Sequence, residues 1–173
     1  MAERIAHLLG MSLCELVRSL GGEPVSLETG GPRNSEVEKM AVSVEFGNEQ
    51  LRGRVRLMAE PRLFTRLSPR PWVETRRHLG DWACEFANQA VGSFRNRMRT
   101  YGPLLFAEPP QLSSQDEMRL SPAAQPMGIP VVVGVDDMVI DAWIDLDGQS
   151  TMSELPNEEL AAAMPAQGDV LLF

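Results

Sequence analysis

Four polar side chains and one glycine recur at helical spacing in the middle of this sequence. Glu85 and Asn88 are three residues apart, so on a helix their side chains are surface neighbours. Gly92 follows one turn later on the same stripe, and Arg95 and Arg99 continue it. The stripe therefore places a carboxylate, an amide, a gap and two guanidinium groups in a line, facing water or a partner.

This stripe belongs to a helix that the sequence predicts from Pro71 to Tyr101. The opposite side is apolar at the helical period, which predicts burial in a core; its residues are Leu79, Ala83, Phe86, Ala87, Ala90, Val91, Phe94, Met98 and Tyr101. The polar side consists of Glu74, Asp81, Glu85, Asn88, Gln89, Gly92, Arg95, Asn96 and Arg99. At 1.5 Å per residue such a helix spans roughly 40 Å, about the width of a small domain.

Gly92 is unusual on a polar helix face, because alanine there would be more favourable by ~1 kcal/mol. Two interpretations of this glycine are open. It allows a backbone or side chain of a partner to come very close, or it allows a tight helix crossing inside the same chain.

The net charge of −8 is unevenly distributed along the chain. Residues 52–99 contain eleven arginines and four acids, whereas residues 100–173 contain one arginine and twelve acids. A positive patch in an acidic protein can steer an acidic or phosphate-bearing partner. Alternatively, these arginines pair with acids from the other segments. Arg52, Arg54 and Arg56 alternate along one predicted strand, and their shared face is interpreted either as a solvated outer face or as a surface that binds phosphate or a partner.

The composition is typical of a soluble domain that can bury a core, with 43% hydrophobic and 23% charged residues in 173. No apolar run approaches the ~18 residues of a membrane span. The N-terminal segment mixes charges into its apolar residues, which predicts an amphipathic helix and not a signal peptide. Cys14 and Cys84 both fall in helical patterns, which favours reduced thiols and a cytoplasmic protein.

Several other functions lack support in the sequence. It contains no glycine-rich phosphate loop. His7 and His78 are far apart and belong to no cluster with metal-ligand spacing, so we expect no metal site and no cofactor of the protein's own. The aromatic content of 6% and the acidic net charge argue against nucleic-acid binding.

The remaining periodicities predict an α+β fold, an antiparallel sheet of hairpins packed against the long helix and an N-terminal helix over Glu3 to Leu20. Alternating apolar residues predict hairpins over 40–57 and 129–146, and a short strand over 104–107. A short helix is predicted over 60–67. Residues 23–36 and 111–128 are predicted as loops, and 148–173 as an acidic C-terminal tail.

The Glu-x-x-Asn pattern alone is weak, because it also occurs at Glu45-x-x-Asn48 and Glu154-x-x-Asn157. Only the copy at 85–88 lies on a helix with an apolar opposite face. Together with its neighbours, that copy resembles the signature of the CheC/CheX chemotaxis phosphatase family; the matching positions are Glu85-Phe86-Ala87-Asn88, Gly92, Met98, Gly102 and Pro109-Pro110. The order of elements is also similar, including Gly53 in the second strand of the first hairpin. The resemblance covers residues 1–147 and is to the CheX type, which has a single motif.

The resemblance implies a hydrolase acting on the aspartyl phosphate of a CheY-like response regulator. Asn88 would hold a water in line with phosphorus, and Glu85 would pair with the receiver's active-site lysine. The receiver would bring its own Mg²⁺. The partner-contacting residues would be Asp81, Gln89, Gly92, Arg95, Asn96 and Arg99. Relatives of this type dimerise, so a homodimer is also implied.

A second hypothesis is a non-catalytic binding module of the same fold, which docks a receiver or a motility protein without hydrolysing any phosphate. A third is that the basic face belongs to a dimer interface. Without the resemblance, the simplest interpretation of Glu85 and Asn88 is a solvated helix face.

Overall fold

The computed structural model describes residues 2–28, 38–69, 76–102, 104–113 and 129–147. This part of the chain contains three helices, α1 (Ala2–Ser19), α2 (Pro61–Leu67) and α3 (Arg76–Met98). It also contains seven strands, β1 (Pro24–Glu28), β2 (Met40–Gly47), β3 (Arg52–Ala59), β4 (Phe106–Ala107), β5 (Gln111–Ser113), β6 (Ile129–Val135) and β7 (Met138–Leu146).

The seven strands form one antiparallel sheet in the order β1-β6-β7-β3-β2-β4, with β5 also beside β2. Both predicted hairpins are confirmed, β2 with β3 and β6 with β7. The turn of the first is held by Asn48, whose Oδ1 accepts the backbone N–H groups of Gln50 and Leu51, both at 2.8 Å. Such an asparagine side chain replaces backbone partners that a tight turn cannot supply.

Helices α1 and α3 cover one face of the sheet and enclose the core. Phe94 of α3 packs edge-on against Phe46 of β2, with ring centroids 5.5 Å apart. Phe86 makes a similar contact with Phe64 of α2 at 5.7 Å. Edge-to-face aromatic pairs add stability beyond their buried area. The predicted α+β architecture, with an antiparallel sheet against a long helix and an N-terminal helix, is therefore confirmed.

The observed boundaries differ from the predicted ones in several places. Helix α3 ends at Met98, where a turn begins in which the Tyr101 N–H donates to the Met98 carbonyl at 2.9 Å. The segments predicted as loops contain short strands, β1 and β5, at opposite edges of the sheet. Strand β4 occupies only two of the four residues predicted around it. The predicted start of the long helix at 71–75, most of the 111–128 loop and the tail at 148–173 lie outside the described residues.

Candidate functional site

Helix α3 has the two faces that its sequence predicts. The apolar side chains from Ala83 to Phe94 on the core side have no exposed surface, at 0% each; they are Ala83, Phe86, Ala87, Ala90, Val91 and Phe94. The opposite side is open to solvent, with Asp81, Glu85, Asn88, Gln89, Asn96 and Arg99 exposed and Gly92 and Arg95 half-buried. We call this side the polar face of α3. Glu74 lies outside the described residues.

Glu85 and Asn88 lie together on the polar face but differ in their hydrogen bonds. The Gln89 side-chain amide donates to Glu85 Oε1 at 2.8 Å. Gln89 therefore holds one carboxylate oxygen and leaves the other to solvent. Within the described ranges, no hydrogen bond ties down the Asn88 side chain. The amide that is the candidate water-positioning group is thus available to a group from outside.

Gly92 lies in open space. Among the residues that the structure describes, a Cβ atom built on Gly92 would have no neighbour within 4 Å outside its own helical turns. The interpretation of Gly92 as a tight helix crossing inside the chain is therefore wrong. A close approach from outside remains the interpretation that explains a glycine here.

Arg95 connects α3 to the edge of the sheet. Its Nε–H donates to the Leu105 carbonyl at 2.7 Å, just before β4. Burial lowers the pKa of Arg95, and the nearby Arg99 adds to this effect. Part of the Arg95 donor capacity is thus used inside the chain, whereas Arg99 is exposed.

Several other arginines of the arginine-rich segment, residues 52–99, pair with acids of this chain. Arg97 on α3 bonds Glu15 of α1, and Arg54 bonds Glu45 on the neighbouring strand. Arg56 lies 3.5 Å from Asp145, and Arg62 lies 3.1 Å from Asp137. For these four arginines, internal pairing is the correct interpretation of the charge. In the copy of the motif at 45–48, Glu45 pairs with Arg54 on the neighbouring strand and Asn48 stabilises the turn between the two strands.

Strand β5 supplies a neighbour of α3 that the sequence did not predict. Leu112 is 51% exposed and points to the same face of the sheet as its partner Val42. A Cβ at Gly80 would lie 3.1 Å from Leu112 Cδ2, so this leucine packs on α3. Gly80, Cys84 and Asn88 form one row at four-residue spacing. The segment from Leu105 to Leu112 therefore contacts α3 at two places, through Leu112 at Gly80 and through the Leu105 carbonyl at Arg95.

The described residues contain no group of three or more histidine, cysteine, aspartate or glutamate residues placed to hold a metal ion. None of their helices combines the length and apolar character needed to cross a membrane.

Solved structures with this arrangement of sheet and helices include several chemotaxis proteins. A CheC-like superfamily protein from Shewanella sp. PV-4 has a TM-score of 0.59 at 12% identity and covers 84% of this chain and 99% of its own. CheX from Vibrio vulnificus also has a TM-score of 0.59, at 11% identity, with 82% and 99% covered. The CheX–CheY–BeF3–Mg²⁺ complex from Borrelia burgdorferi has a TM-score of 0.58 at 16% identity, with 81% and 96% covered.

No protein-family model and no curated protein matches the chain. The structural similarity is nevertheless extensive, because it includes almost the whole length of each of these chemotaxis proteins. The chain has the CheC/CheX-like fold, which confirms the fold that the sequence resemblance implied. At 10–16% identity, this similarity establishes the fold and leaves the activity to be argued from the site.

Proposed function

We propose that the protein is a phosphatase that hydrolyses the aspartyl phosphate of a CheY-like receiver domain. The observation that carries this proposal is the joint exposure of Glu85 and Asn88 on the polar face of α3, beside the open space at Gly92. A fold neighbour of 16% identity assembles with CheY in the presence of BeF3 and Mg²⁺. The proposal transfers that kind of partner to the polar face of this chain.

In the proposed reaction Asn88 enters the receiver's active site and orients one water toward phosphorus. The water oxygen forms a bond to phosphorus while the bond to the aspartate oxygen breaks, and the aspartate carboxylate leaves. The proton of the water passes to phosphate or solvent. Positioning alone can contribute several kcal/mol to such a step. A neutral amide suits it, because an amide can donate to and accept from water without repelling phosphoryl oxygens.

Glu85 has the proposed role of docking the receiver through its active-site lysine. The carboxylate oxygen that Gln89 does not occupy is the one that would accept from this lysine. Charge neutralisation at the phosphoryl group would come from Mg²⁺ held by the receiver, so this chain supplies no metal and no nucleophile.

The remaining partner contacts are proposed around this pair. Gly92 would let the receiver backbone approach the helix, and Arg99 would face its acidic active site. Asp81, Gln89 and Asn96 are exposed on the same face and would make polar contacts. Arg95 would contribute with the guanidinium nitrogens that do not bond Leu105.

A non-catalytic adaptor with the same docking face is the alternative, and a homodimer is compatible with either. One experiment separates the two functions. A phosphorylated receiver and Mg²⁺ are incubated with wild type, Glu85→Ala or Asn88→Ala, and phosphate release and complex formation are both measured. The phosphatase accelerates release, and Asn88→Ala binds without accelerating it. An adaptor binds but leaves the rate unchanged or slows it.

A further inference from the structure

A groove of about 1020 Å³ lies on the side of the sheet away from α3. Phe46 points toward α3, since its ring packs against Phe94. Successive side chains of a strand point to opposite faces, so Glu45 and Gly47 point to the other side, and both line the groove. The groove and the polar face of α3 are therefore separate surfaces.

The strand register places the residues that line the groove side by side. Phe106 of β4 pairs with Gly47, which in turn pairs with Arg52. Arg52 packs close to Gly47, where a Cβ atom would lie 2.9 Å from Arg52 Cγ, and both residues line the groove beside Phe106. In the next row Glu45, Arg54 and Asp145 lie side by side across three strands. The groove thus crosses the end of the sheet next to the β2–β3 turn that Asn48 holds.

The lining has one apolar wall and an excess of negative charge. Phe106 is 67% exposed, an unusual state for a phenylalanine in a folded domain. Five carboxylates line the groove, from Glu45, Glu49, Glu108, Asp145 and Asp147, against the guanidinium groups of Arg52 and Arg54. Arg54 is already bonded to Glu45. Glu49 and Glu108 are exposed at the rim.

We infer that this groove binds a basic, partly apolar peptide segment of another protein. An apolar side chain of the segment covers Phe106, and its arginine or lysine side chains pair with Glu49 and Glu108. Charge complementarity selects this occupant over an acidic one. Since the groove lies across the sheet from α3, the segment and a partner on the polar face bind at the same time. The inference does not depend on the proposed phosphatase activity.

The test uses the full chain and a fluorescein-labelled nine-residue peptide of alternating arginine and leucine, titrated by anisotropy. Phe106→Ser and the double variant Glu49→Lys/Glu108→Lys are each expected to weaken binding about tenfold or more. Val25→Ser is the matched control, because Val25 is 65% exposed on β1 at the opposite edge of the sheet. Val25→Ser and Asn88→Ala are expected to leave binding unchanged. A peptide with glutamate in place of arginine is expected not to bind.

Three results would overturn the inference. The first is equal weakening by Phe106→Ser and Val25→Ser, which would indicate non-specific adsorption. The second is competition between the peptide and a partner that requires Asn88. The third is a wild-type oligomer that Phe106→Ser dissociates without peptide, which would assign the groove to a second copy of this chain. Unchanged thermal unfolding of each variant shows that the comparison is between folded proteins.

Discussion

Gln89 donates its side-chain amide to Glu85 Oε1 at 2.8 Å, across one turn of the polar face. Exposed pairs at this spacing stabilise a helix by about 0.2–0.5 kcal/mol, so the bond matters little for folding. Its effect is on the position of the carboxylate. We expect the free energy of unfolding of Gln89→Leu to lie within about 0.5 kcal/mol of the wild-type value. The same variant should raise the KM for a phosphorylated receiver about two- to threefold, with kcat unchanged. A fall in kcat with constant KM would contradict the docking role of Glu85.

Gly92 allows a test of the docking face that does not disturb the fold. Its Cβ position is open, so Gly92→Ala should stabilise the protein by about 0.5–1 kcal/mol through helix propensity. Gly92→Arg should fold equally well but lose receiver binding. Gly53→Ala is the contrasting variant, since its Cβ would collide with the Asp145 carbonyl oxygen. It should be destabilised by about 1–3 kcal/mol through overpacking. Normal receiver binding by Gly92→Arg would place the interface elsewhere.

Arg95 should stabilise the contact between α3 and the sheet edge. Its 2.7 Å bond to the Leu105 carbonyl is partly buried, and such charged hydrogen bonds contribute about 1.5–3 kcal/mol, less where water has access. We expect Arg95→Ala to lower the free energy of unfolding by about 1–2 kcal/mol and to speed amide exchange at 105–107. Arg99→Ala, on the same face, should leave both unchanged. Equal effects of the two variants would show that the bond contributes nothing specific.

Cys84 reports on the flank of the polar face. Burial raises the pKa of its thiol, and the charge of Asp81 raises it further. The reactive thiolate is therefore scarce at neutral pH. In a Cys14→Ala background, Cys84 should react with iodoacetamide more slowly than free cysteine, and the rate should reach its midpoint above the ordinary pKa of about 8.5.

A bound receiver should slow this alkylation further, because Cys84 is one turn from Asn88 in the same row. Protection that survives Gly92→Arg would mean that the receiver does not dock across α3. A midpoint at the pKa of free cysteine would instead contradict the burial of the thiol.

The two faces of α3 could be predicted because each residue's side of a helix follows from its position alone. The two hairpins could also be predicted, because successive side chains of a strand point to opposite faces and apolar residues such as Val44 and Val55 alternate with polar neighbours. Strands β1 and β5 were not, since they have five and three residues and obtain their pairing from strands far away in sequence. Short edge strands carry too few residues for a period to emerge.

Within the site, the residue types and their common face were predictable, but their partners were not. The bonds from Gln89 to Glu85 and from Arg95 to Leu105 depend on rotamers and on the position of β4. The contact of Leu112 with Gly80 could not be predicted, because it follows from the pairing of β5 with β2. The groove at Phe106 also depends on the pairing of β4 with β2, two strands that are far apart in the sequence.

The proposed role of Asn88 is tested most directly by the rate of phosphoryl loss from a phosphorylated receiver with Mg²⁺ under single-turnover conditions and saturating protein. The wild-type chain should accelerate this loss over the receiver alone. Asn88→Ala should still bind the receiver but should slow this loss about 100-fold, or down to the receiver's own rate. A 100-fold slowing corresponds to about 2.7 kcal/mol of activation free energy. Wild type no faster than the receiver alone, or Asn88→Ala as fast as wild type, would contradict the assignment of Asn88 as the water-positioning residue.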